Sequence, residues 1–248
     1  MTKRIIILLL DAACLIVFAV SAVRWHSERR ELKREAALFQ RLAAQTQSDY
    51  SETALDSAEI LPQYAVLYQE NPDLFGWLRI PDTAVNYPVM YSPEEPERYL
   101  HRAFDRSESY CGTPFLDAEC DTNGDLFLIY GHHMKDGSMF GSLPEYADAA
   151  YWMLHPEIQL DTLCDARRYQ VFAAFYASTD EDTERAYYAY KTLPDRNAFE
   201  SLTALIDSRK LYNTGIVPEY GDSILLLSTC SYHTENGRLA VAAVERHS

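Results

Sequence analysis

The stretch SILLLSTC (223–230), the connection SYHTENG (231–237) and the run RLAVAAVER (238–246) decide how the rest of the chain is read. Apolar side chains fill consecutive positions from Ile224 to Leu227, as in a strand buried on both faces. Gly237 supplies the turn into a second apolar run. The reading is strand, connection, strand, with Cys230 at the end of the first strand and Arg238 at the start of its neighbour.

The same texture recurs upstream. DLFLIYGH (125–132) is another consecutive apolar run, and it ends on His132. LFGWLRI (74–80), the turn PDT (81–83) and AVNYPVM (84–90) read as a hairpin, GTPFLD (112–117) as a strand, and EIQLDTL (157–163) with RRYQVFAAFYA (167–177) as a second hairpin. Short strands cut by Pro, Asp, Asn and Gly predict an all-β barrel or sandwich from residue 74 onward. Residues 138–156 read as a loop with a short helix. Residues 179–210 are charged and helix-prone, with Phe199, Leu202 and Leu205 at three-residue spacing, so they read as a helical insertion between strands.

Before the β-rich part, Ile5 to Val23 is a run of 19 residues whose one charge is Asp11, bracketed by Lys3, Arg4 and Arg24. At ~1.5 Å per residue it matches the ~30 Å hydrocarbon core, which predicts a single membrane-spanning helix. A cleaved leader ending near Ala19, Ser21 and Ala22 is the competing reading. Asp11 opposes the span by about 2.5–3.5 kcal/mol. Residues 26–46 then read as a helix carrying Leu32, Phe39 and Leu42, residues 47–58 as a loop, and 61–69 as a second helix. The expected organisation is a tip and membrane anchor over 1–25, a helical appendage over 26–70, and one β-domain over 71–248.

Composition excludes several classes. With 37 acidic and 22 basic residues the formal charge is −15, which repels phosphate backbones and sets nucleic acid aside as a partner. An apolar fraction of 48% supplies a core and excludes bulk disorder. Cysteines at 14, 111, 120, 164 and 230 form no CxxC pair, so no metal cluster is expected. Cys111 and Cys120 read as free buried thiols, with a local disulfide as the alternative.

Three residues carry chemistry if they meet. A thiolate nucleophile needs a nearby base or cation and an open side, and Cys230 between a rigid strand and a polar loop has that setting. His132 ends a strand as Cys230 does, and neighbouring strand ends would bring imidazole and thiol within reach. His133 competes, but successive side chains along a strand face opposite ways. Arg238 places a permanent charge where an attacked carbonyl would develop an oxyanion. Taken singly, each has an ordinary role: a buried thiol, a hydrogen-bonded imidazole, a surface ion pair.

Taken together, LSTC (227–230) with the later Arg238, and YGH (130–132), resemble the cysteine and histidine motifs of the sortases, with a conservative departure at Leu227. The likeness runs through NPDLFGWLRIPDTAVNYPV (71–89), GTPFLD (112–117), LIYGHHMKDGSMFGSL (128–143) and LLLSTCSYHTENGRLAVAA (225–243). It is greatest to class B, which carries N-terminal helices and a helix-containing loop before the cysteine strand, the place of residues 179–210. The resemblance implies a mainly β fold: a closed barrel of about eight strands with helical additions. It implies a membrane-anchored, single-pass cysteine transpeptidase with its catalytic domain outside the cell, Cys230 as nucleophile, His132 as acid/base and Arg238 as oxyanion-side cation. Ser228, Thr229 and Tyr232 flank the thiol as substrate-binding candidates. No cofactor is implied. The partners implied are secreted proteins bearing an NPxTx-like or related sorting signal, and an amine acceptor such as a peptidoglycan precursor or a pilin lysine. A hydrolytic cysteine protease, and a membrane-tethered peptide-binding β-domain without turnover, are the alternatives.

Overall fold

A computed structural model describes residues 2–47, 60–180, 186–231 and 236–246. Among the described residues the β-rich part folds from eight strands: β1 (Leu74–Arg79), β2 (Asn86–Met90), β3 (Phe115–Leu116), β4 (Leu126–Tyr130), β5 (Glu157–Thr162), β6 (Ala166–Ser178), β7 (Ile224–Cys230) and β8 (Gly237–Glu245). They close into a barrel in the order β1-β2-β3-β4-β7-β8-β6-β5. Closure leaves no edge strand open, which settles the choice between barrel and sandwich.

The mixed sheet follows from the connections. Hairpins give the antiparallel pairs β1–β2, β5–β6 and β7–β8. β4 and β7 run parallel, in register from Leu126 opposite Ile224 to Tyr130 opposite Ser228. Parallel neighbours need a long return, and the chain from 131 to 223 supplies it. Both strands are apolar at consecutive positions because both faces are covered: Phe127, Leu128, Ile129, Leu225, Leu226 and Leu227 are all 0% exposed. Across the barrel, Phe75 on β1 meets Phe127 on β4 with ring centroids 5.3 Å apart.

Helices precede and interrupt these strands along the chain. α1 spans Thr2–Gln47, α2 Pro62–Glu70, α3 Ala149–Leu154 and α4 Arg196–Arg209. α4 begins where Asp195 accepts a hydrogen bond from the Ala198 amide at 2.8 Å, an N-cap that satisfies one of the free first-turn donors. It buries Phe199, Leu202 and Ile206. Leu205, three residues after Leu202, is half-buried, and Ile206 completes the buried face because a 3.6-residue period brings position 206 round to 199 and 202.

The chain divides into two compact units, Met1–Arg41 and Leu42–Ser248. The N-terminal expectation is corrected in one respect. The helical readings of 5–23 and 26–46 both fall within the one 46-residue helix α1. Among the described residues no helix is long and apolar enough to cross a membrane, so the expected transmembrane anchor and the single-pass location drawn from it do not stand. Asp11, exposed on α1, puts a charge inside the 5–23 run, which costs about 2.5–3.5 kcal/mol at the middle of a bilayer. The loop expected over 47–58 lies, from 48 on, outside the described residues.

Candidate active site

β7 ends on Cys230, and the antiparallel register places Arg238 of β8 directly opposite it. Side chains of directly opposed residues stand on one face with Cβ atoms ~4.5–5.5 Å apart, so thiol and guanidinium share a side of the sheet. Both residues are half-buried. The Arg238 Nη1 donates to the Gly237 carbonyl at 3.2 Å, which draws the guanidinium back along its own strand end.

His132 follows β4 on the other flank of β7. Tyr130 and Ser228 are register partners, and His132 and Cys230 each lie two residues further along. Along β7 the period of two keeps Cys230 to the side of Ser228, and the Gly131 amide, which donates to the Ser228 carbonyl at 3.2 Å, carries the pairing one residue past β4 toward His132. The glycine between Tyr130 and His132 is required by packing: a Cβ on Gly131 would lie 2.6 Å from the Phe140 ring. The His132 Nε2 sits 2.9 Å from the Leu100 carbonyl oxygen. A carbonyl only accepts, so Nε2 carries the hydrogen and the neutral ring keeps its lone pair on Nδ1. His101 lies against the same imidazole, with ring centroids 5.8 Å apart. The neighbouring His133 has a different partner: its Nδ1 donates to the Cys230 carbonyl at 3.1 Å, tying the strand end to the histidine loop.

The flanking candidates are engaged inside the protein. Ser228 is 1% exposed, and its hydroxyl pairs with the Tyr187 hydroxyl at 2.6 Å. Thr229 is 2% exposed and donates to the Gly131 carbonyl at 2.8 Å, stitching the cysteine strand to the histidine strand. Tyr232 lies outside the described residues. Asp117, just beyond β3, accepts from the Tyr130 hydroxyl at 2.9 Å and pairs with Lys191. Burial first, and then the Asp117 charge, hold the Tyr130 hydroxyl far above its usual range, so it stays protonated and donates. The Cys120 thiol is pushed up to about 11, chiefly by burial.

The Leu100 carbonyl, Tyr187 and the Asp117–Lys191 pair had no local signal in the sequence. Their partners are 32, 41 and 74 residues away in the chain. Only the barrel's closure brings them to the site.

The sortase domain profile matches residues 78–246. Sortase B of Listeria monocytogenes is 29% identical over 230 residues, covering 91% of this chain and 90% of that protein. Among solved structures, a Staphylococcus aureus sortase B–substrate complex aligns with TM-score 0.77 at 25% identity, covering 88% of this chain and 98% of that one. A sortase B complexed with triglycine aligns with TM-score 0.76 at 26% identity, covering 87% and 99%. Barrel and relatives together define a cysteine transpeptidase. The chain belongs to the sortase family, and within it to class B.

Proposed function

We propose that the protein cleaves a sorting signal of NPxTx-like type in a secreted protein and joins the new carboxyl end to an amine of the cell wall. The observation that carries this reading is the placement of Cys230 opposite Arg238 on the β7–β8 ladder, with His132 at the same end of the adjoining β4–β7 pair.

In the first half-reaction Nδ1 of His132 takes the Cys230 thiol proton and the sulfur attacks the carbonyl carbon before the scissile bond. The Arg238 guanidinium stabilises the oxyanion that forms. As the tetrahedral species collapses, the C–N bond breaks, the leaving nitrogen takes the proton from Nδ1 of the His132 imidazolium, and a thioester remains on Cys230. In the second half an incoming amine attacks that thioester and gives up a proton to Nδ1, and the sulfur leaves. The Leu100 carbonyl supports both halves, because it holds Nε2–H throughout and its dipole favours the charged ring while the proton is resident. Ser228 and Thr229 serve by holding the strand end that presents the thiol, through their buried hydrogen bonds. The substrate complex of the Staphylococcus aureus relative and the triglycine complex support a peptide donor and an amine acceptor.

The test is mass spectrometry of the full chain with NPxTx-type peptides, with and without triglycine, beside Cys230→Ala. A thioacyl adduct on Cys230 that triglycine converts to an amide product is expected. Water as the sole resolving nucleophile would make the protein a hydrolase, and turnover by Cys230→Ala would remove the thiol from the mechanism.

A further inference from the structure

The insertion between β6 and β7 reaches the site through the segment 186–191, and two contacts pin that segment to the barrel. Tyr187, 1% exposed, bonds Ser228 through its hydroxyl at 2.6 Å. Lys191 pairs with Asp117, their side chains 21% and 12% exposed. Asp117 in turn accepts from the Tyr130 hydroxyl. The barrel ends of the two pins therefore converge on Ser228 and Tyr130, which are register partners on β7 and β4. Each lies two residues before a reacting side chain, Cys230 or His132, and Ser228 shares the thiol's side of β7. The segment thus lies along the strand face from which the thiol rises. Between the pins, Tyr188 and Tyr190 are half-buried and Ala189 is exposed, which leaves side chains available to an incoming peptide.

An ion pair this far out of water is weak evidence for stability, since desolvation offsets most of the attraction, but it does fix geometry. Its acid is held from two directions, by Lys191 and by the protonated Tyr130. Neither Lys191 nor Asp117 has a part in the proton or acyl transfers above.

We propose that the Lys191–Asp117 pair is a positioning device that holds segment 187–191 as one wall of the peptide groove. It sets how tightly the acyl-donor peptide is held and leaves the reactivity of the thiol alone. The proposal rests on the transpeptidase reading, and the experiment separates the two.

Lys191→Met, Asp117→Asn and their double variant are compared with wild type in the full chain, with Lys191→Arg as the conservative control. Each is read by amide hydrogen exchange over 186–191, by alkylation of Cys230 with iodoacetamide, and by peptide kinetics. Exchange over 186–191 accelerates in Lys191→Met and Asp117→Asn and stays near wild type in Lys191→Arg. Peptide KM rises about tenfold while kcat holds within about twofold, the pattern of lost uniform binding. The alkylation rate does not change. The double variant resembles either single, because one interaction is removed in each. Unchanged exchange over 186–191 in Lys191→Met overturns the proposal, as does a fall in kcat at constant KM. Failure of the transpeptidase reading looks different: wild type forms no thioacyl adduct, while the exchange measurement still reports on the pair.

Discussion

Cys230 and Arg238 are direct partners across the β7–β8 ladder, so backbone register rather than a side-chain network sets the distance between thiol and guanidinium. On the proposed mechanism a guanidinium delivered this way has its full effect only once an oxyanion forms. Arg238→Ala is expected to lower kcat by ~10²–10³, the usual loss of an oxyanion donor, with little change in KM. Arg238→Lys keeps the charge but loses the planar fork, so it recovers part of the rate. Steady-state kinetics on a cleavable peptide decide the matter: a raised KM with kcat intact would make Arg238 a peptide-binding residue instead.

The imidazole is placed by packing at two glycines. Gly131 lies so close to Phe140 that a Cβ would come within 2.6 Å of the ring. Gly112, at φ +61°, would bring a Cβ within 2.5 Å of the Leu100 carbonyl that holds Nε2. Gly131→Ala should destabilise the barrel by ~1–3 kcal/mol through overpacking. The loss of kcat should exceed what the fall in Tm explains, because His132 is carried on the displaced backbone. Adding Phe140→Leu to Gly131→Ala relieves the contact and should restore part of the rate. Equal activity in both variants would show that His132 tolerates the shift.

Much of this was legible in the sequence, and the reason is period. Consecutive apolar runs at 126–129 and 224–227 marked strands covered on both faces, and the two strand ends carried His132 and Cys230. Strand pattern alone left barrel and sandwich open, because closure depends on which strands pair; it was the sortase resemblance that implied the closed barrel of about eight strands, and the strands do close. The parallel β4–β7 register joins residues nearly a hundred positions apart. The same holds for the Leu100 carbonyl, where the functional group is backbone and carries no residue signature at all. At the N-terminus the two stretches read as helical, 5–23 and 26–46, meet in one helix, because good helix formers such as Glu, Leu, Lys, Arg and Ala continue it to Gln47.

The cysteines should separate by environment. Cys120 is 2% exposed and its thiol is pushed up to about 11, while Cys111 is also buried; Cys164 is exposed and Cys230 half-buried. Only the thiolate alkylates, and it must be reached. Cys14 is exposed as well, so brief iodoacetamide treatment of the native protein at pH 8 should modify Cys14, Cys164 and Cys230 and spare Cys111 and Cys120, as read by peptide mapping. Cys230→Ala should remove one label without exposing another. Rapid labelling of Cys120 at native pH would mean that this side of the barrel opens far more readily than its burial implies.

Alkaline pH should destabilise the fold through its buried thiol and phenols. Burial raises the Cys120 thiol to about 11 and the Tyr169 hydroxyl to about 12, and it also raises Tyr87 and Tyr99. Each of these groups holds its proton more tightly folded than unfolded. Their stability is fully present below the ordinary values of ~8.5 for a thiol and ~10 for a phenol, where both states are protonated. It is lost as pH rises toward the folded values, because the unfolded chain then binds fewer protons and the slope of unfolding free energy turns negative. The urea midpoint should fall steadily from about pH 9 to 12. Tyr169→Phe gives up a buried hydroxyl bond to Ser223 at 3.1 Å, worth ~1 kcal/mol near neutral pH. The same change removes one titrating group, so the variant's midpoint should fall less steeply above pH 10, and the two curves should converge. Parallel curves would show that the Tyr169 hydroxyl is not among the groups whose ionisation drives the transition.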